Sequence, residues 1–377
     1  MMNWRRVWSI IRKEWWHITR DRTSFILLLL SPVLLLVTMG YAFSIDIKNV
    51  RIGVLDQDQS ALSREFIAQL GSTSALNLEQ WPRSLDEVES LLMRGQAKAV
   101  VIIPAGFEAK MLAGETAVLQ TVVDGTDPNT AGHAIRHISA HTQAFALEEV
   151  KTQLAKAGIA EMPPDPIDLR LRAWYNPTLR YTVSMIPALV GIVLSVPAMA
   201  ASLALARERE WGTLEGLVAT PIGRFELILG KLTPYLIAGF LSVPLCVATA
   251  VYGYNVQFQG SLGLYLALSV IFLFATMSIS LFLSVFVKSQ QVAMIASMII
   301  FLFSGFFMSG LLIPFSLMGP LIKMEAFMFP TTHFVIISRG VIVKGAGLAE
   351  ISGFVIAMAA IGVIFFVLTS LMFKKKI

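Results

Sequence analysis

Apolar residues along this chain gather into six runs of about twenty: Phe25–Ile45, Tyr181–Ala206, Leu232–Val251, Leu262–Val287, Val292–Ile313 and Ile351–Phe373. About twenty residues is what a helix needs to cross a bilayer core of roughly 30 Å. No Asp, Glu, Lys, Arg or His falls within these limits. Pro32, Pro187, Pro197, Pro234 and Pro244 do, and membrane helices tolerate them because neighbouring groups re-satisfy the freed carbonyls. The pattern predicts about six transmembrane helices. Between Pro314 and Lys344 two semi-apolar stretches, Phe315–Ile322 and Phe327–Val343, are broken by Lys323, Glu325, Pro330 and Arg339. They read as two short re-entrant or interfacial helices.

A polar stretch long enough to be a domain separates the first run from the second, and its signals alternate between strand and helix. Strands are predicted at Arg51–Leu55, Leu76–Trp81, Ala97–Ile103, Val118–Val123 and Ile167–Trp174. Ser60 caps a helix through Leu70, Ser84 with Glu87 forms a capping box for a helix to Arg94, and Phe107–Leu112 is a short helix. Asp127 and Pro128 open a long helix from Asn129 to Ala157. Ahead of the first span, Trp4, Val7, Trp8, Ile11, Trp15 and Ile18 recur at helical spacing, which predicts an interfacial elbow helix.

Composition agrees: of 377 residues 55% are hydrophobic and only 15% charged, and the mean hydropathy is +0.69, outside the range of a soluble domain. Thirty Lys and Arg exceed 25 Asp and Glu, but the excess does not point to nucleic acid, because the large polar domain is net acidic and the basic residues flank the spans. Arg5, Arg6, Arg12, Lys13, Arg20 and Arg22 precede the first span; Lys374, Lys375 and Lys376 follow the last; Arg207, Arg209, Arg224, Lys231 and Lys288 lie in two intervening loops. The positive-inside rule puts both termini in the cytoplasm. The first run is too long for a signal-peptide core and lacks a small-residue cleavage pattern, so it reads as a retained anchor. The single cysteine, Cys246, makes no intramolecular disulfide and reads as a small buried residue.

The fold expected is therefore an α-helical polytopic membrane protein with an α/β extracytoplasmic domain inserted between helices 1 and 2. Its parts are an interfacial helix over 1–23, a first span over 24–45, the α/β domain over 46–179, a second span over 180–206, and an inner loop over 207–230. Spans over 231–251, 262–287 and 291–313 follow, then re-entrant helices over 314–348, a last span over 349–373 and a tail at 374–377.

The inner loop carries the most chemistry. Arg207, Glu208, Arg209 and Glu210 are followed by Trp211, Gly212, Thr213, Leu214 and Glu215, then by Thr220 and Pro221, Glu226 and Gly230–Tyr235 (GKLTPY). Charges of both signs alternate with Leu214, Leu217 and Val218, a surface another protein can grip. This arrangement resembles the signature loop of ABC-2-type transporter permeases. The likeness extends to Ile52–Ser63 (IGVLDQDQSALS), Ile102–Phe107 (IIPAGF), Val123–Ala131 (VDGTDPNTA), Arg172–Pro177 (RAWYNP) and Phe329–Val335 (FPTTHFV), and so to nearly the whole chain. The subfamily it most resembles is the long-loop group of bacterial drug- and xenobiotic-export permeases of the cell inner membrane. The resemblance implies a coupling helix at Arg207–Glu215, ended by Thr220 and Pro221, that docks on a separate ATP-binding-cassette ATPase subunit. It implies a second permease copy or a paralogue, a periplasmic adaptor as a further partner, and ATP with Mg on the ATPase rather than on this chain.

Other motifs are weaker. Gly223…Gly230-Lys231 mimics a phosphate-binding loop, but six residues separate the glycines instead of four and Leu232 replaces Ser or Thr. His133, His137 and His141 share a helix face, yet the outer two lie roughly 12 Å apart, too far for one metal ion. Asp56-x-Asp58-x-Ser60 begins like a calcium loop, but Ala61 and Ile67 occupy the glycine and glutamate positions. Met298, Phe303, Phe306, Phe307 and Met308 give the fifth span a composition suited to lining a pathway for apolar substrates, and equally to facing lipid. Two rival functions are an ion-coupled transporter, which would place ionisable residues inside the spans, and a membrane-anchored sensor or assembly protein, which has no use for a coupling loop.

Overall fold

Inside a bilayer the backbone must satisfy its own polar groups, so long apolar runs become helices. The structure is a computed structural model that describes residues 3–43, 49–73, 75–156, 174–176, 180–212, 221–287 and 289–373. In chain order the elements are α1 (Trp4–Arg20), α2 (Arg22–Phe43), β1 (Val50–Asp56), α3 (Ala61–Gly71), β2 (Leu76–Gln80), α4 (Leu85–Met93), β3 (Ala99–Ile103), α5 (Phe107–Leu112), β4 (Gln120–Val123) and α6 (Pro128–Lys156). Then come α7 (Tyr181–Val193), α8 (Val196–Glu210), α9 (Arg224–Ala248), α10 (Leu262–Phe286), α11 (Gln290–Met298), α12 (Pro320–Ala326), α13 (Pro330–Ser338) and α14 (Leu348–Met372). Wide π turns extend α9 over Thr249–Gly253, α11 over Ile299–Met308 and α13 over Arg339–Val343. The chain divides into two compact units, Met1–Ile45 with Arg172–Ile377, and Asp46–Leu171.

The second unit is an α/β sandwich. Its sheet runs β2-β1-β3-β4, with β1 parallel to β2 and β3 and β4 antiparallel to β3. Successive strand residues face opposite sides. Ala99, Val101 and Ile103 therefore pack with Phe66, Phe107, Ile138 and Phe145 under α3, α5 and α6, while Val100 and Ile102 pack with Val88 under α4. A strand covered on both faces reads as a continuous apolar run, which is why β3 is the plainest strand in the sequence. The two aspartates of the calcium-like motif are used internally. Asp58 accepts from the amides of Gly106 (2.7 Å), Phe107 (3.1 Å) and Glu108 (3.0 Å), capping α5 from a distance in sequence. Asp56 accepts from the amides of Asp58 and Gln59 and from the Ser63 hydroxyl. Ser84 Oγ accepts from the Glu87 amide, but the Glu87 carboxylate reaches the amide of Arg83, one residue before the cap. The strand expected at Ile167–Trp174 falls, up to Ala173, outside the described residues.

Among the described residues of the first unit six helices are long and apolar enough to cross a membrane, α7 and α8 counting as one, or up to seven if α12 and α13, which meet at 84°, are one broken span. At its centre is α10, where Tyr265, Phe272, Leu273, Ala275 and Met277 are buried. Gly362 lets α14 approach it closely: a Cβ there would lie 2.9 Å from the Ala275 Cα. Two details lie beyond the apolar pattern. The second candidate span, Tyr181–Glu210, is interrupted at Leu194–Ser195 between α7 and α8, because the ring of Pro197 near the start of α8 excludes a helical carbonyl four residues back. The helix of the third candidate span starts at Arg224, ahead of the apolar run, so Lys231 lies inside that helix. The charge is tolerated there because carboxylates from two other helices meet it.

Candidate functional site at the charged end of the helical unit

The amphipathic spacing of α1 turns Val7, Ile10, Glu14 and Ile18 inward and leaves Trp4, Trp8 and Trp16 exposed. Glu14 is the anomaly on that stripe, a carboxylate only 4% exposed. Its partner is Lys231, itself 1% exposed, whose Nζ lies 3.1 Å from Glu14 Oε1 and 2.8 Å from Glu208 Oε2. Lys13 closes the cluster at 3.0 Å from Glu208 Oε1 and 3.7 Å from Glu14. Burial opposes the charged form of Lys13, but the Glu208 and Glu14 carboxylates outweigh it and hold the ammonium above its ordinary value. Gly230 makes this approach possible: a Cβ there would lie 2.7 Å from the Ile10 Cβ.

A second carboxylate joins two helix starts. Glu226 accepts from the Asn3 amide at 2.6 Å, just ahead of α1, and from the Gly223 amide at 2.8 Å, just ahead of α9. The Arg6 guanidinium donates to the Pro221 carbonyl.

The last turn of α8 holds the four charges of the Arg207–Glu210 motif, and between them they reach four other helices. Arg207 donates to His17 Nε2 (2.8 Å) on α1 and to Gln290 Oε1 (3.2 Å) on α11, and stacks over Trp211. Glu208 binds Lys13 and Lys231. Arg209 donates to the carbonyls of Val285 (2.8 Å) and Val287 (3.0 Å), the exposed acceptors at the end of α10. Glu210 accepts from the Gln290 amide (2.9 Å), a donor left open at the start of α11. Gly212 then stops the helix in the left-handed region, φ +71°, where an L side chain is strained.

The motif therefore faces two ways. Glu208 is buried and Arg207 and Arg209 are half-buried, tying helices together, while Glu210, Trp211, Gly212, Pro221, Gly223 and Arg224 are exposed. Thr213, Glu215 and Thr220 lie outside the described residues. Of the fifth-span residues, Met298, Phe303 and Phe307 are about half exposed, and Phe306 packs on Phe43. Among the described residues no group of three His, Cys, Asp or Glu is arranged to hold a metal; His133 and His137 stack on each other and His141 bonds Thr73. Sequence reasoning missed Glu14, Gln290 and the buried role of Lys231. The signal for Glu14 was present: it occupies a core position in the apolar stripe of its helix.

A model of the family described as "ABC-2 family transporter protein" matches residues 22–371. The chain is 29% identical to the "Probable multidrug ABC transporter permease YbhS" of Escherichia coli K12, covering 100% of this chain and 99% of that protein. It is 27% identical to the "Probable multidrug ABC transporter permease YbhR" of the same organism, over 91% of each. Over 100% of this chain and 99% of the relative, it is 26% identical to the "Inner membrane transport permease YhhJ".

Proposed function

Because this chain belongs to the ABC-2 family of transporter proteins, we propose that it is the permease subunit of an ATP-binding-cassette exporter whose ATPase is a separate polypeptide docking on the loop between α8 and α9. The observation that carries the proposal is the set of attachments made by the last turn of α8. Four consecutive charges bind α1, α9, α10 and α11. A displacement applied to the loop after Glu210 is delivered to all of these helices at once, because the contacts are ion pairs and capping bonds rather than sliding apolar surfaces. ATP and Mg act on the partner; this chain carries no recognisable phosphate-binding loop. The docking surface is the exposed part of the motif, Glu210 through Gly212 with Pro221 and Arg224, joined by Thr213, Glu215 and Thr220. Arg207, Glu208 and Arg209 transmit rather than dock.

Two permeases, identical or paralogous, pair in the inner membrane with their termini in the cytoplasm, and the α/β unit lies in the periplasm, where an adaptor would meet it. Substrate leaves the cytoplasm or inner leaflet and moves outward. The half-exposed Met298, Phe303 and Phe307, with Phe306 and Met308, line the path or face the second copy. Lys231 lies inside the helix α9, so family membership is the stronger ground for the ATP-driven reading over an ion-coupled one.

Co-purification from the native host tests this. The wild-type chain should retain an ATPase subunit, and Trp211→Glu/Arg224→Glu, both on exposed positions, should lose it while remaining folded. Equal recovery from both, or no ATPase with either, would remove the docking assignment.

A further inference from the structure

A cleft of about 550 Å³ opens beside the charged cluster, between α1, α2, α8 and α11. That is the size of a small-molecule site. Its wall is apolar, formed by Leu28, Val196, Met199, Leu203 and Met294, and its rim carries Arg207, His17 and Asp21. The distance from Arg207 back to Val196 is eleven residues of α8, about 16 Å at the helical rise. One leaflet of a bilayer core is about 15 Å deep. The cleft is thus a slot one leaflet deep with a cation at its rim.

Arg207 is the cation that the rim offers to a head group. Glu14 and Glu208 are paired with Lys231 and Lys13, Glu210 bonds the neutral Gln290 and lies outside the cleft lining, and Asp21, on the rim, has an interaction of its own. Arg207 makes no ion pair among the described residues: its partners are a neutral amide oxygen, an imidazole nitrogen and an indole face. Among the described residues, two of its five N–H donors are used and three remain. A guanidinium so placed suits a phosphate or carboxylate, which it binds with paired charge-assisted hydrogen bonds.

We propose that this cleft binds a single-tailed anionic amphiphile taken from the adjoining leaflet, its tail along α8 and its head on Arg207. The assignment deepens the exporter reading by naming a substrate class and rests on that reading for its transport role; binding itself requires no ATPase. Dodecyl phosphate, dodecyltrimethylammonium, dodecyl maltoside and inorganic phosphate are titrated against the purified full chain in phosphatidylcholine nanodiscs. The wild type should bind dodecyl phosphate at least about tenfold more tightly than the cationic and neutral amphiphiles, the scale of one charge-assisted bond. Arg207→Gln should remove that preference and leave maltoside affinity unchanged. Ala200→Trp, which fills the slot, should weaken all three amphiphiles. Folding of each variant is checked by the temperature at which the buried Cys246 becomes reactive towards a thiol dye. No preference for the anion in the wild type, an Arg207→Gln loss equal for all head groups, or displacement of dodecyl phosphate by equimolar inorganic phosphate would each overturn the site. Retained binding without a co-purifying ATPase would instead sink the exporter reading and leave the site standing.

Discussion

Lys231→Met removes a buried cation and leaves the Glu14 and Glu208 carboxylates facing each other, at side-chain exposures of 5% and 10%. Lys13, the cation that remains, is 55% exposed and cannot neutralise both. Removing one member of a buried pair costs about 3–5 kcal/mol. At roughly 2–4 °C per kcal/mol for a unit of this size, the melting temperature should fall by about 6–20 °C. Lys13→Met breaks contacts of similar length, but solvent screens that side chain, so its cost is at most about 1 kcal/mol and under about 4 °C. The triple change Lys231→Met/Glu14→Gln/Glu208→Gln abolishes the uncompensated charge and should recover most of the loss. The assay is thermal unfolding in detergent read by a thiol-reactive dye, since the one cysteine, Cys246, is fully buried and reports opening of the bundle. A Lys231→Met melting point within about 2 °C of the Lys13→Met value would refute the claim that burial makes this network structural.

Three further outcomes follow from the geometry. Gly230→Leu puts a side chain into Ile10 and should lift α1 from α9 at a cost of about 1–3 kcal/mol, seen as faster tryptic cleavage at Arg12 and Lys13. Asp58→Ala strips three amides at the start of α5 of their acceptor, costs about 1–2 kcal/mol, and should expose Lys110 to trypsin without disturbing the helical unit. Lys98, with Thr126, holds the Asp124 carboxyl down at about 2. Because the folded value is depressed, this contribution is complete above about pH 4 and fades as pH falls towards 2. Hydrogen-exchange protection of the Thr126 amide should follow that window, and Asp124→Asn, which keeps an acceptor oxygen but does not titrate, should abolish the pH dependence.

The membrane helices were legible because length and apolarity alone specify them, and so was β3, an apolar strand covered on both faces. Their ends were not. The start of α9 was read at the end of the charged residues, but Glu226 enters the helix by capping amides ahead of α9 and α1, and Lys231 because Glu14 and Glu208 of other helices meet it, a fact visible only once α1 is folded against α9. The same holds for the Arg207–Glu210 motif. Its charges announced a protein-binding surface, and nothing in the spacing separates a carboxylate that faces solvent, Glu210, from one that faces Lys231, Glu208. A charge-reversal test at Glu208 would disrupt the bundle itself, which is why the docking test belongs on Trp211 and Arg224.

The docking claim is tested most directly by placing a photo-crosslinking amino acid at Trp211 or Arg224 in living cells, with Tyr252 as the control. Tyr252 is 88% exposed and sits at the other end of α9 and its π extension, about 40 Å along the helix from Arg224. The account predicts an adduct with an ATP-binding-cassette ATPase from positions 211 and 224 and none from 252. An ATPase adduct from 252, or from none of the three, would contradict it.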